Sequence, residues 1–394
     1  MPGWHEATKA LQAQGKVQMV GLIEEQHADR CALFMQWKRL GWPILIDSLN
    51  LLEVSAVPIT LAIDEHGIIR MVRPAPADIE AKFLNQTYEA PAQMPAKPTL
   101  PELEAMMQAA ATGNPPALRA YADALVMWSG AARLSEAIAL YQRALELEPQ
   151  NGFTHFRLGV AYRRRYESEF RQPNDFQRAI DSWARNLDLD PNQYISRRRI
   201  QQYGPRLDKP YSFYDWVPIA RNALVARGEQ PLPLMVEPGG AEFATPQRTF
   251  VSQETTAPDP DPQGRIMRDD KLIQIEGVVA PATVAPGAAV RVHLTMRPNA
   301  KLKAHWNNES DELQVAVNPP DGWQVDNRLL GTPNGAGATS KETRKVEFEL
   351  RVPATAPPGR ATIPAYVLYY VCEGVNGTCL YRRQDVTVTV EVKK

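Results

Sequence analysis

Cysteine is scarce. Only Cys31, Cys372 and Cys379 occur in 394 residues, which excludes a small disulfide-stapled scaffold but leaves one close pair as a redox candidate. Neither sign of charge dominates: 44 Lys and Arg against 45 Asp and Glu give a net charge of −1. The basic footprint of a nucleic-acid binder is missing, so no nucleic-acid partner is expected. No apolar run approaches the roughly 18 residues that cross a bilayer, so no integral membrane segment is expected either. The opening Met1-Pro2-Gly3-Trp4-His5-Glu6 has neither the cationic start nor the apolar stretch of a secretory signal. The histidines His5, His27, His66, His155, His293 and His305 are scattered without paired ligand spacing. There is no Gly-rich phosphate loop and no Gly-x-Ser-x-Gly elbow. The expectation is no metal and no cofactor.

Proline, by contrast, is abundant, with 34 residues or about 9% of the chain against a typical ~5%. The prolines cluster. Lacking an amide donor and disfavouring helix in the residue before it, proline marks extended connections. Two such stretches, 91–101 and 228–267, the second containing Ala257-Pro258-Asp259-Pro260-Asp261-Pro262, separate the segments 1–90, 102–227 and 268–394. The length alone predicts two to four domains.

The first segment alternates helix and strand signals, an α/β pattern. Trp4, Ala7 and Leu11 share a helical face, residues 17–23 read as a buried strand, and Cys31, Phe34, Met35 and Leu40 again have helical spacing. Residues 43–46 read as a strand, 49–54 as a helical turn, and 59–63 with 67–72 as an antiparallel hairpin. Its joint Asp64-Glu65-His66-Gly67 relies on glycine for the unusual backbone angle. A short helical pattern covers 78–88.

The middle segment is helical and repeats. Ala137, Tyr141, Ala144 and Pro149 recur at the same spacing as Ala179, Trp183, Asn186 and Pro191. Small residues at fixed helical offsets let two helices approach, aromatics fill the groove, and proline ends the second helix. The last segment has period-2 alternation at 290–296, 345–352 and 385–392, the pattern of half-buried antiparallel strands, and about 125 residues of this kind suggest a β-sandwich.

The run Val54-Ser55-Ala56-Val57-Pro58-Ile59-Thr60, followed by the Asp64–Gly67 turn, resembles the thioredoxin-like proteins of the TlpA and ResA type. The resemblance implies a cis Val57–Pro58 bond whose backbone edge meets substrate. In that family a Cys-x-x-Cys stands just before a Met-Pro pair. This chain begins at Met1-Pro2, so the expectation is a partial domain without that dithiol, with an unpaired edge near residues 17–23. Cys31, among Phe34, Met35 and Leu40, reads as a small buried hydrophobe.

The doubled Ala-x3-Tyr/Trp motif, with Leu158-Gly159-x2-Tyr162, resembles tetratricopeptide repeats. The 42 residues from Pro149 to Pro191 exceed that family's period of 34, which places an insertion at 166–176, broken at Pro173. A third, degenerate unit would lie at 194–226. The resemblance implies binding of partner peptide segments, or a spacer between two domains.

The run from Tyr366 through Cys372, six intervening residues, Cys379 and Tyr381 resembles the N-terminal, immunoglobulin-like domain of the thiol:disulfide interchange protein DsbD. The run Lys303-Ala304-His305-Trp306-Asn307 and Pro319-Pro320-Asp321-Gly322-Trp323 fit the same superfamily. Three states are open to Cys372 and Cys379: an exchange-competent pair, a static staple, or two free thiols. Arg382 and Arg383 are candidates to favour a thiolate, with Glu373 opposing, and Tyr369, Tyr370 and Tyr381 to shield the sulfurs. The fold expectation is therefore multidomain: a partial thioredoxin-like α/β part, an all-α tetratricopeptide array, and an immunoglobulin-like all-β sandwich. The functional expectation is an extracytoplasmic, periplasmic thiol–disulfide exchange protein, a protein-disulfide reductase if active, whose partners are other thiol–disulfide proteins. The alternative is a non-catalytic tetratricopeptide scaffold with structural end domains.

Overall fold

The computed structural model describes residues 2–93, 99–100, 102–205, 214–238, 242, 258–374 and 377–393. Helices and several sheets share the chain, a mixed α and β architecture. Contacts divide it into two units. The first comprises Met1–Arg164, Arg185–Arg198 and Tyr214–Pro238, and the second Arg165–Ala184, Arg199–Phe213 and Gly239–Lys394.

The first unit starts with α1 (Pro2–Ala13), β1 (Gly21–Ile23), α2 (Ala28–Lys38), β2 (Ile44–Ile46) and the hairpin β3 (Leu61–Ile63) and β4 (Ile69–Val72). β1 runs parallel to β2, and β3 antiparallel to β4, as two separate two-stranded sheets. Only residues 21–23 of the expected strand 17–23 form a ladder, because Ile44–Ile46 accompanies no more of it. Among the described residues, β1 has no strand on its other edge. Trp4 and Leu11 of α1 pack with Ala62, Met71, Ile79 and Phe83, which joins the hairpin to the helical turn Glu80–Leu84. The turn at Gly67 has φ 80°, and Asp64 Oδ1 accepts from the His66 and Ile68 amides, both at 2.9 Å.

The helical turn expected over 49–54 is absent. Asp47 Oδ2 takes the Leu51 amide at 2.7 Å, and the Asn50 side chain both accepts from and donates to the Val54 backbone at 3.0 Å. Short polar side chains here supply the bonds that a helical backbone would otherwise make.

Five helices follow: α3 (Leu103–Ala111), α4 (Pro115–Trp128), α5 (Leu134–Leu147), α6 (Gly152–Tyr166) and α7 (Asp175–Leu189). Pro115 opens α4 where its missing amide costs nothing, and Gly130 at φ 70° turns the chain back. Ala122, Ala137 and Ala144 are fully buried, so α4 and α5 approach closely, and Tyr141 donates to Asp123 Oδ1 at 2.6 Å. A Cβ on Gly152 would sit 2.6 Å from Asn186 Oδ1, so a larger residue at the start of α6 would push that side chain aside. The buried Arg157 guanidinium donates to Asp123 (2.9 Å), Glu53 (3.2 Å) and the Leu49 carbonyl (3.3 Å), tying α6 to residues 49–53.

α8 (Tyr194–Gln201) and α9 (Trp216–Ala226) complete the helices. Trp216 stacks on Trp37 of α2 with centroids 6.1 Å apart, so α9 lies against the first segment. Residues 228–238 of the expected linker run back along α2, where Gln36 donates to the Gln230 carbonyl at 2.8 Å.

The second unit contains β5 (Ile273–Ala280), β6 (Thr283–Val284), β7 (Ala289–Pro298), β8 (His305–Asn307), β9 (Leu313–Val317), β10 (Gln324–Val325), β11 (Leu329–Thr332), β12 (Thr339–Ser340), β13 (Arg344–Arg351), β14 (Gly359–Cys372) and β15 (Cys379–Val392). One sheet has the order β10-β13-β7-β5. The other has β11-β9-β14-β15-β6, with β8 pairing both β14 and β12. Val292, Leu294, Phe348 and Leu350 of the first sheet share one core with Trp306, Val315, Val367, Tyr369, Val371 and Val390 of the second.

One strand departs from the expected half-buried pattern. On β7 the polar face is buried as well: Arg291, His293 and Thr295 are all covered. Residues from the helical region lie over it. Tyr166 donates to Thr295 Oγ1 at 3.2 Å, Phe176 meets the His293 ring at 5.5 Å, and the Tyr203 carbonyl is 2.7 Å from His293 Nε2. Polar alternation reports a wet face only when no other element covers it. Gln177 of α7 also pairs with β5, accepting from the Val279 amide at 2.9 Å and donating to its carbonyl at 3.1 Å.

The same face yields a pH prediction. Burial works against the Glu347 carboxylate, but the His293 hydrogen bond (3.1 Å) and the charges of His293 and Arg291 outweigh it and hold the carboxyl well below the usual range. A carboxyl depressed in the folded state contributes fully above its unfolded pKa of about 4.3, and the contribution is lost as pH falls. Thermal unfolding of the wild type should therefore weaken from about pH 5 downward. Glu347→Gln should cost about 2 kcal/mol at pH 7, reduced at this half-buried site, and should flatten the acid limb. An unchanged acid limb would remove Glu347 from it.

Candidate redox site

The site grows from the two longest strands. β14 and β15 pair without a register break from Gly359 opposite Val392 to Cys372 opposite Cys379. The final pair is a disulfide with a Cα separation of 3.9 Å. Beyond it the Glu373 amide reaches the Thr378 carbonyl at 3.4 Å, and Gly374 has φ 68°. Residues 375–376 of this loop lie outside the described residues.

Side chains alternate between the faces of a strand. Val371, Tyr369 and Trp306 point into the core, so Cys372, Cys379 and Tyr370 share the opposite, outer face. His305 of β8 stands directly opposite Cys372 and belongs to that face. A single row thus crosses three strands: His305, Cys372, Cys379. In the next row Tyr370 stacks on Tyr381, with centroids 4.4 Å apart and planes at 22°. Burial, with Tyr370 and the Asp311 charge adding to it, pushes the Tyr381 phenol up.

The two sulfur-bearing residues differ. Cys372 is 1% exposed, whereas Cys379 is exposed. Cys372 is covered because β8 flanks it on its second side. The arginines need correction. Arg383 lies on the disulfide's face but two rows away, bonded to Asp261 and Asp385 at 2.8 Å each and lying 3.8 Å over the Tyr366 ring. Arg382 alternates to the other face and donates to the Tyr381 carbonyl at 3.0 Å. Tyr369 faces the core against Trp306, at 6.2 Å, and does not cover the sulfurs.

Of the other candidates, Val57 and Pro58 belong to the first unit, in an exposed stretch before β3, and their peptide bond is cis. Cys31 is buried on α2, where burial, with the Glu25 charge, pushes its thiol up and away from reactivity. In the sequence His305 stands only as one of six scattered histidines and as part of a run of five. Its place beside Cys372 depends on β8 pairing with β14, across more than sixty positions of sequence, and no local signal carries that. Among the described residues no group of three or more His, Cys, Asp or Glu side chains is placed to hold a metal ion. No described helix is long and apolar enough to cross a membrane.

No family model matches the chain. No curated protein matches it either. Solved structures give low-scoring likenesses. A protein of unknown function from Porphyromonas gingivalis is 20% identical over 31% of this chain and 47% of its own, with a TM-score of 0.20. The sporulation control protein Spo0M from Bacillus subtilis is 10% identical over 31% of this chain and 50% of its own, at 0.16. The bacterial hydrophobin BslA is 15% identical over 31% of this chain and 95% of its own, at 0.16. The chain spans about half the length of the first two. At such scores none of them bears on fold or function.

Proposed function

We propose that the chain is a thiol–disulfide exchange protein that works through Cys372 and Cys379. The observation that carries the reading is the cross-strand disulfide at the open end of β14 and β15, with one cysteine exposed and the other buried. A partner thiolate attacks the accessible Cys379 sulfur. A partner–Cys379 disulfide forms as the Cys372–Cys379 bond breaks, and the electron pair leaves on Cys372. The partner's second thiol, deprotonated, then displaces Cys379, so that the partner dithiol is oxidised and the pair reduced by two electrons. The reverse sequence oxidises a partner.

The resemblances supply the finer fold reading: an immunoglobulin-like DsbD-type domain at 268–394, tetratricopeptide helices over 102–227 that hold partner segments, and a thioredoxin-like part at 1–90. A disulfide of this kind belongs in an oxidising, extracytoplasmic compartment.

Equilibrating the full chain in glutathione buffers, with thiols counted while circular dichroism follows folding, tests the reading. The pair should open in the folded protein at a potential well above the ~−300 mV of structural bonds. Cys372→Ser should trap a mixed disulfide through Cys379 with a small dithiol protein, and Cys379→Ser about tenfold less. A folded protein that stays oxidised in strongly reducing buffer carries a staple, and the reading fails. The non-catalytic tetratricopeptide reading draws on the exposed Met107, Trp128, Leu147, Ile219 and Val225 of the helical region. It gains if partner binding survives loss of both cysteines.

A further inference from the structure

We infer that His305 is the proton-holding neighbour of Cys372, set beside it by strand register to stabilise the thiolate that leaves when the disulfide opens. This rests on the exchange reading above. Directly opposed residues of an antiparallel pair point to the same face, with β-carbons about 4.5–5.5 Å apart. Val371 pairs with Trp306 and Cys372 with His305, so Cys372 has Cys379 on one side and an imidazole on the other.

The ring's hydrogen bond selects its working nitrogen. His305 Nδ1 lies 3.2 Å from the Lys303 carbonyl, which can only accept, so Nδ1 carries a proton and Nε2 is the nitrogen that gains and loses one. The cations first expected to do this work are elsewhere. Arg383 is held by Asp261 and Asp385, and Arg382 is on the other face. The remaining charged groups around the row are Lys303 before β8, Lys341 just beyond the β12 pairing with Trp306, Glu342 bonded to Arg344, Glu373 after Cys372, and Asp311 near Tyr381.

The chemistry balances as follows. A partner dithiol loses one proton to solvent and its thiolate bonds to the Cys379 sulfur. The Cys372–Cys379 bond breaks, the electron pair passes to the Cys372 sulfur, and the His305 imidazolium donates to it. Cys372 is left as a thiolate paired with the charged ring; Cys379 takes a proton from solvent when the partner's second thiol displaces it, and the dithiol's other proton stays in solvent. Cys372 is buried, so bulk water is a poor substitute for this donor.

The test is the rate of reduction of the folded, full-length protein by dithiothreitol, for the wild type and His305→Gln, between about pH 5 and about pH 8, where imidazoles ordinarily change charge. Ionisation of the reductant cancels in the ratio of the two rates. The ratio should be about tenfold at the acid end and fall towards one at the alkaline end, since the imidazolium is the assisting form. A ratio that is flat with pH overturns the role of His305 and leaves exchange standing. A folded wild type that cannot be reduced overturns exchange, and this inference with it. Should His305→Gln not fold, the wild type alone decides by proton NMR of the His305 ring. Its titration midpoint should rise on reduction, because a neighbouring thiolate favours the imidazolium, and equal midpoints in the two redox states overturn the proposal.

Discussion

Replacing Trp306 with alanine is expected to lower the unfolding free energy by about 3–5 kcal/mol, the range for deleting a large buried aromatic. Trp306 is wholly buried in the two-sheet core, edge-on to Tyr369 at 6.2 Å. Its Nε1 donates to the Glu342 carbonyl at 2.8 Å, and the Arg344 guanidinium lies 4.6 Å from its ring. Alanine would open a cavity, leave that carbonyl short of a donor and loosen β8, which has only three residues. Urea denaturation followed by circular dichroism would measure the loss. Because β8 also positions His305 beside Cys372, the variant should be reduced more slowly than the wild type near the acid end of the range, in buffer where it remains folded. A loss under about 1 kcal/mol would mean that the strand contributes little to the core.

Asp175→Ala should be comparably severe, costing about 3–5 kcal/mol, because it removes one partner of a buried ion pair. Arg165 donates to both Asp175 oxygens, at 2.9 and 2.6 Å, and Asp175 also accepts from the Gln172 amide at 2.9 Å. Asp175 is fully buried at the first turn of α7, where a carboxylate also meets the positive end of the helix. Asp175→Asn keeps the shape and part of the bonding, so it should lose less. The double replacement Arg165→Met with Asp175→Leu should recover much of the alanine loss, since it leaves no unpaired charge. Equal losses for all three would mean that volume, not charge, holds this turn.

Strands and helices were legible wherever a periodic face was buried. The alternation at 290–296 and 385–392 falls within β7 and β15, that at 345–352 overruns β13 by one residue, and the repeated small residues fall on α5 and α7. The misses have a common physical origin. Residues 49–54 have apolar spacing, but Asp47 and Asn50 take over the backbone bonds. The polar face of β7 looked wet because the aromatics covering it, Tyr166, Phe176 and Tyr203, come from a segment far away in sequence. Pairing of Cys372 with Cys379 was common to two of the three open states. The asymmetry in their exposure, and the imidazole beside one of them, depend on which strand lies next to β14. Local pattern reports which face of an element is apolar, and says little about which element that face meets.

Gln177 has a consequence for the protein in concentrated solution. β5 is the outermost strand of its sheet and, uncovered, would offer a row of backbone groups to any extended chain nearby. The amide of Gln177 occupies the Val279 positions as a strand residue would, yet it projects from a helix and has no backbone to extend the ladder. One side chain thus fills the edge at Val279. At that position an incoming strand would find the backbone groups already taken, so edge-to-edge pairing and growth of stacked aggregates are opposed there by a side-chain contact.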